Sequence, residues 1–275
     1  MTTKGKKIAM SIGIALITFV IVLPFLWMFV LSLRTNSEIM TTPLQLPRAL
    51  NFDNYRNAFE TLNFLQLYIN TITICVVAIV IQLAITYCSS FVLARMQFNK
   101  RIKDALHFFL ILGLAISPFI LLFPIFRINV FFGFRGMVGL IFPYVATSIS
   151  FNTLLLVGYL RMLPSEIDEA ALMDGCNIGQ LMLRVILPIT KPVMATVVIF
   201  NVLYIWNEFP LASVMLRDIG DFTLSMGASF FRGRFAVDYG GIIATGIMII
   251  IPQLVFYGFF QRYIVEGMTA GAVKG

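Results

Sequence analysis

Long apolar runs alternate with short polar breaks along the whole chain. Six runs can be traced, at about 8–33, 68–94, 104–126, 137–160, 193–215 and 240–263. Each is close to or above the roughly 20 residues that cross a hydrocarbon core as a helix. A backbone in lipid must satisfy its own hydrogen bonds, so the runs are read as helices. The pattern predicts an all-α, polytopic membrane protein with six transmembrane helices in a single domain over 1–275. The first run follows Lys4, Lys6 and Lys7. It is too long for a signal peptide, and no small-residue cleavage site follows it, so it reads as a retained span.

The polar breaks carry the rest of the information. Lys and Arg are densest between Arg95 and Lys103, which places that break, and with it both termini, on the cytoplasmic side. The break between the fourth and fifth runs then also lies in the cytoplasm, as a loop over 161–192. It holds "PSEIDEAALMDG", Pro164 to Gly175, with carboxylates at Glu166, Asp168, Glu169 and Asp174. Ser165 and Asp168 have the spacing of a capping box, which predicts a helix from Glu166. Its acids fall in the first turn, where the helix dipole favours them, and Gly175 ends it. Asn177 and Gln180 give a looser second start signal, for a helix to about Ile186. Leu187-Pro188 and Lys191-Pro192 are expected to break the chain before the fifth span. Ala170, Ala171 and Leu172 would offer a small, smooth surface to another protein. The loop reads either as a well-capped connector or as a docking device; a connector could be far shorter.

On the other side, residues 34–67 contain "NFDNYRNAFETLNF", the pattern of a small amphipathic helix on the membrane surface. Residues 216–239 carry "GASFFRGRF", where Phe230, Phe231, Arg232 and Arg234 suit either a protein-docking surface or a membrane-interface anchor. Polar positions inside the runs share helical faces: Gln82 with Thr86 and Ser89; Tyr144 with Thr147 or Ser148, Phe151 and Asn152; and Asn201, Tyr204 and Asn207. Such residues either bond neighbouring helices or line a water-filled path. Glu208, near the outer end of the fifth run, reads as an interfacial pairing residue.

Composition agrees with a membrane solvent. Hydrophobic residues make up 59% of the 275 and charged residues 12%, against about a quarter charged in soluble domains; mean hydropathy is +0.92. The net charge of +7 sits at the ends of apolar runs, so it reads as topology and not as nucleic-acid binding. Cys75, Cys88 and Cys176 lack pairing or metal spacing, and His107 is the only histidine. No G-x-x-x-x-G-K-[ST] motif occurs, so any ATP would be bound by another chain.

"EAALMDGCNIGQLMLRVILP", Glu169 to Pro188, resembles the EAA motif of permease subunits in ATP-binding-cassette (ABC) importers. The family pattern is E-A-A-x3-G, nine residues, then I-x-L-P. Glu169, Ala170, Ala171, Gly175, Leu187 and Pro188 are in register, with Val185 for Ile and Met182 where Phe is common. "DNYRNAF", "YINTITI", "WNEF" and the tail "GMTAGAVKG" are similar to carbohydrate-uptake permeases of the maltose-system type, in its shorter permease partner. The resemblance implies the type I importer permease fold, with the EAA loop as a coupling helix fitting a cleft on an ATPase subunit. Glu166, Asp168, Glu169, Ala170, Ala171, Asp174, Gly175, Leu187 and Pro188 would form that site, with Glu169 as polar anchor. The tail would reach the ATPase dimer interface, and the 216–239 loop an extracellular or periplasmic solute-binding protein. Further partners implied are a second homologous permease, two ATP-binding subunits holding ATP and Mg, and the lipid bilayer of a bacterial or archaeal cytoplasmic membrane. No cofactor is implied in this chain and no chemistry of its own. The sugar path would draw on Gln82, Tyr144, Asn152, Asn201, Tyr204 and Asn207. Import of a non-sugar solute, or ion-coupled secondary transport, are the alternatives.

Overall fold

The computed structural model describes residues 3–231 and 237–272. The described residues form helices and loops, with no β-strand among them. The helices are α1 (Thr3–Ser32), α2 (Asn36–Thr41), α3 (Asp53–Thr61), α4 (Phe64–Arg95), α5 (Lys100–Leu112) and α6 (Pro118–Phe132). There follow α7 (Val138–Met162), α8 (Glu166–Met173), α9 (Ile178–Ile189), α10 (Lys191–Asn207), α11 (Pro210–Met215) and α12 (Tyr239–Ala272).

Four of these, α1, α4, α7 and α12, are each long and apolar enough to cross a membrane. Two bent pairs raise the number of crossings to six if each pair is one span: α5 with α6, at 104°, and α9 with α10, at 74°. Proline sets two of the interruptions. Ser117, before Pro118, is extended (φ −65°, ψ 130°), because a proline ring excludes the helical region for the residue before it. The expected run 104–126 is therefore cut at Ile116–Ser117. The expected run 193–215 ends at Asn207; Glu208 is extended, and Pro210 opens the separate short helix α11.

By its contacts the chain divides into two compact units. The first comprises Met1–Phe64 and Met226–Pro252. Here the apolar window of α1 has no buried residues, so its side chains are left to lipid. The turn after it is tightly built. Arg34, 1% exposed, donates to the carbonyl and hydroxyl oxygens of Thr42, both at 2.8 Å. Asn54 of α3 donates to the Ser32 and Arg34 carbonyls at 2.8 and 2.7 Å, which are orphaned at the end of α1. The stretch 51–64, expected as an amphipathic helix, is helical over Asp53–Thr61; its Asn54 holds the end of α1, while Arg56 and Glu60 pair with each other on the exposed side.

The second unit comprises Leu65–Ser225 and Gln253–Gly275. Within it α4, α7 and α10 pack through small, polar and aromatic side chains. The Ser148 hydroxyl donates to the side-chain amide oxygen of Gln82, Asn201 donates to Asn152 at 2.8 Å, and Phe151 meets Phe200 edge to face at 5.4 Å. Lipid tails are as apolar as leucine, so packing and these interhelical bonds hold the helices together rather than water exclusion. Asn201→Leu is accordingly expected to lower stability by about 1–2 kcal/mol. The measurement is the heat-unfolding midpoint of the purified protein in detergent; an unchanged midpoint contradicts this role.

Candidate functional site

The acidic loop is an ordered device. Helix α8 runs from Glu166 to Met173, starting where expected, but the capping box from which that start was inferred is not formed. Ser165 is itself helical (φ −69°, ψ −25°) and makes no side-chain cap. A capping hydroxyl needs an extended backbone to reach the free N–H groups. Asp168 is engaged elsewhere: its carboxylate accepts from the Arg95 guanidinium at 2.8 Å. Arg95, with its side chain 6% exposed, also donates to the carbonyls of Leu160 (3.2 Å), Leu163 (2.7 Å) and Pro164 (2.8 Å). One guanidinium thus joins the end of α4, carbonyls at the end of α7 and in the turn after it, and the first turn of α8. Planar, five-donor geometry suits it to so many acceptors.

The far end of α8 closes as a Schellman turn. Cys176 N–H donates to the Ala171 carbonyl and Gly175 N–H to that of Leu172, both at 3.0 Å. Gly175 takes φ +82° with open space around it, so its requirement is the left-handed backbone and not room. Asn177 and Gln180 then form the reciprocal box the sequence predicted, at 3.0 and 2.9 Å.

Pro188 does not break the chain as expected. Leu181–Ile186 adopts a π-helical register and the helix continues to Ile189. The wider register uses an i to i+5 pattern, as in the Leu187 N–H bond to Met182, and carries the helix across a residue that lacks an N–H. Tyr87 donates to the Met182 carbonyl at 2.6 Å and Tyr159 to that of Ile189 at 3.0 Å. The turn into α10 comes instead at buried Thr190.

Side-chain directions divide the predicted contact residues. Glu166, Glu169, Ala170, Asp174 and Gly175 are exposed, with Pro188, and Leu187 is half-buried. Ala171 is buried against Phe91, Leu160, Leu181 and Ile186. It anchors α8 inward, so the smooth outer surface is formed by Ala170, Leu172 and Met173, with Met173 88% exposed. Asp168 is taken up by Arg95. Sequence reasoning assigned Arg95 to topology alone; its acceptors lie 65 to 73 residues away, and no local signal announces them.

The polar span residues also separate into two sets. A cavity of about 470 Å³ is bordered by Thr147, Phe151, Asn201 and Tyr204. An adjoining one of about 270 Å³ shares Thr147 and Tyr204 and adds Asn207 and Glu208. Gln82, Tyr144 and Asn152 line neither; all three are at most 1% exposed and bonded to neighbouring helices or loops. Tyr144 donates to Glu208 at 2.8 Å. The Glu208 carboxylate also accepts from the Leu211 and Ala212 N–H groups at 2.7 and 3.1 Å, capping α11. In the loop after α11, Phe231 is buried at 8% exposure, its ring against the backbone of Gly241, which removes it from the expected docking surface. Phe230 is half-buried, while Arg232 and Arg234 lie outside the described residues, as does the end of the tail, residues 273–275.

Four helices long and apolar enough to cross a membrane, and two bent pairs that pass the same test, are those of a multi-pass membrane protein. The chain belongs to the family of binding-protein-dependent transport system inner membrane components, whose model matches residues 88–270. It is 34% identical to the trehalose transport system permease protein of Mycobacterium tuberculosis, over 92% of each chain. It is 30% identical to a diacetylchitobiose uptake system permease protein of Streptomyces coelicolor, over 93% of this chain and 85% of that one. Its fold matches a chain of the crystal structure of a bacterial ABC transporter that imports alginate, with a TM-score of 0.79 at 21% identity, over 94% and 96% of the two chains. The type I importer permease architecture expected from the EAA motif is therefore the fold of this chain, and the chain is an ABC importer permease.

Two substitutions test the loop. Gly175→Val forces a β-branched residue to positive φ, at a cost of about 1–3 kcal/mol, whereas Gly175→Asn tolerates that backbone. Solute uptake by cells carrying the transporter is expected to fall at least tenfold in the first and less than threefold in the second; equal uptake in both contradicts the turn's role. Arg95→Gln removes one partner of a buried pair, at about 3–5 kcal/mol. It should raise amide hydrogen exchange across 164–175 at least tenfold, and unchanged exchange would show that Arg95 does not hold α8.

Proposed function

We propose that this chain is the permease subunit of a sugar importer, working with a second homologous permease, two ATP-binding subunits and an external solute-binding protein. The observation that carries this reading is α8: a helix pinned at its start by Arg95, closed at its end by Gly175, and exposing Glu166, Glu169, Ala170, Leu172 and Met173. A partner ATPase receives this face. Glu169 is its polar anchor, and Ala170 permits close approach. ATP and Mg are held by the partner subunits, and both termini of this chain lie in the cytoplasm. ATP-driven closure of the partner dimer moves α8, and differential contacts in the inward-open and outward-open states shift the equilibrium between them.

The cargo reading rests on the relatives, named for trehalose and diacetylchitobiose, together with the two adjoining cavities. Tyr204, 38% exposed, presents a ring beside Thr147 and Asn207. An aromatic face packs on the apolar face of a sugar ring while hydroxyl and amide groups bond its hydroxyls. Of the six polar candidates for the path, Asn201, Tyr204 and Asn207 are retained, and Gln82, Tyr144 and Asn152 hold the helices that frame it. Phe230, with Arg232 and Arg234, remains the candidate contact for the solute-binding protein.

The test is ATP hydrolysis by the reconstituted complex with its binding protein, measured across a panel of mono- and oligosaccharides. One sugar class is expected to stimulate hydrolysis; stimulation by amino acids, polyamines or anions instead would replace the cargo. Glu169→Lys should abolish recovery of the ATPase with the permease while membrane insertion stays normal. Tyr204→Ala is expected to raise the half-saturating sugar concentration for uptake about tenfold, a loss of about 1.4 kcal/mol, leaving complex recovery intact.

A further inference from the structure

Helix α4 differs from the other long helices in a way the family assignment does not explain. The long helices α1, α7 and α12 each contain a proline, at Pro24, Pro143 and Pro252. Over Phe64–Arg95, α4 contains neither proline nor glycine, two of the commonest causes of a helix bend. Its sequence is dense in β-branched residues with stiff side chains. Along its length Ile74, Ala78, Gln82 and Thr86 are fully buried, so the shaft is also held laterally.

Both ends of this shaft are clamped by buried side chains to loops distant in sequence. At one end Asn70, 1% exposed, donates to the carbonyls of Gly220 and Phe222 at 2.7 and 2.9 Å. Gln66 fixes the Asn70 amide by donating to its oxygen at 2.8 Å. One residue on, the Thr71 hydroxyl accepts from Leu224 N–H at 2.9 Å while donating to its own helix at Leu67. At the other end Arg95 holds the last turn of α7 and Asp168 of α8. At 1.5 Å rise per residue, Asn70 and Arg95 are roughly 38 Å apart, about the full thickness of a bilayer.

We infer that α4 is a rigid transmission rod, coupling displacement of the 220–224 loop at one end to displacement of α8 at the other. Asn70, Thr71 and Arg95 are its positioning residues. The inference rests on the permease reading for its purpose, since it gives the solute-side loop a mechanical link to the ATPase-contacting helix. Its physical content does not depend on that reading. A shaft with no hinge and a fixed attachment at each end must move both attachments together, whereas a hinged one dissipates the motion at the hinge.

The test softens the shaft without touching its clamps. Val77 and Val80 lie on its exposed face, 37% and 62% exposed, and Val77→Gly with Val80→Gly introduces two weak points; Val77→Ala with Val80→Ala is the control. Nitroxide labels at Ile219 and Met173, both exposed, in a chain with its native cysteines replaced, report the distance between the two ends by pulsed electron resonance. The rod predicts a narrow distribution in the unaltered chain and the alanine pair, broadened at least twofold in the glycine pair. An unchanged width, or equal broadening with alanine, overturns it. In the reconstituted complex the glycine pair should keep basal ATP hydrolysis within twofold and lose at least fivefold of the stimulation by loaded binding protein. Asn70→Ala should lose stimulation similarly, with no further loss when combined with the glycine pair, as expected for sites acting through one element. Full stimulation in the glycine pair, or losses that add, overturns the rod. Failure of the unaltered chain to recover an ATPase counts against the permease reading alone, and the label distances then decide the rod by themselves.

Discussion

The position of α8 depends on a single buried cation. Arg95 ends α4 with its side chain almost wholly removed from solvent, and four oxygens converge on it. Burying a guanidinium is costly unless its donors are met; here its two terminal nitrogens are met, three of the acceptors being backbone carbonyls at the end of α7 and in the turn after it. The dipole at the end of α7 adds its negative pole. Only the fourth acceptor is a charge, the carboxylate of Asp168. The charge that binds the loop is therefore shared with backbone that any sequence would supply, and Asp168 sets which helix is drawn to it. Below this contact Ala171 packs among Phe91, Leu160, Leu181 and Ile186, a small side chain that lets α8 lie close against the helices behind it.

The membrane explains why so many polar groups were spent on structure. In lipid, hydrophobic residues gain nothing by facing one another, so specificity comes from small contacts and interhelical hydrogen bonds. Gln82 with Ser148, Asn152 with Asn201, and Tyr144 with Glu208 serve that purpose. Glu208 sits where the chain breaks, and its carboxylate caps the helix that starts beyond the break. The same economy applies to the π stretch before Pro188, where tyrosines from α4 and α7 take up carbonyls of the disturbed helix. Many polar side chains described here are first of all repairs to the backbone and joints between helices, and of the six polar residues expected on the path, Asn201, Tyr204 and Asn207 border the cavities.

Chain breaks and chain stiffness are distributed unevenly. Prolines lie in α1, α6, α7, α10 and α12, and Pro118 and Pro210 mark the breaks before α6 and α11. Helix α4 has neither proline nor glycine and carries buried residues along its length. A transporter must change shape in some places and keep it in others, and the placement of proline records that division.

Whatever depends on neighbours in sequence could be read before folding. The apolar runs, the limits of α8, the stop at Gly175 and the Asn177–Gln180 box all follow from spacing, dipole and backbone preference within a few residues. The EAA pattern was legible for the same reason, being one continuous stretch. Only the tertiary structure decided that Ser165 leaves its cap unmade, that Asp168 turns to Arg95, that Ala171 faces inward, that the helix runs through Pro188 to Thr190, and that Phe231 is buried. Each of these depends on a partner tens of residues away or on a choice between two hydrogen-bond acceptors of similar local merit. Local physics specifies which groups need partners, and the packing of distant helices determines which partners they receive.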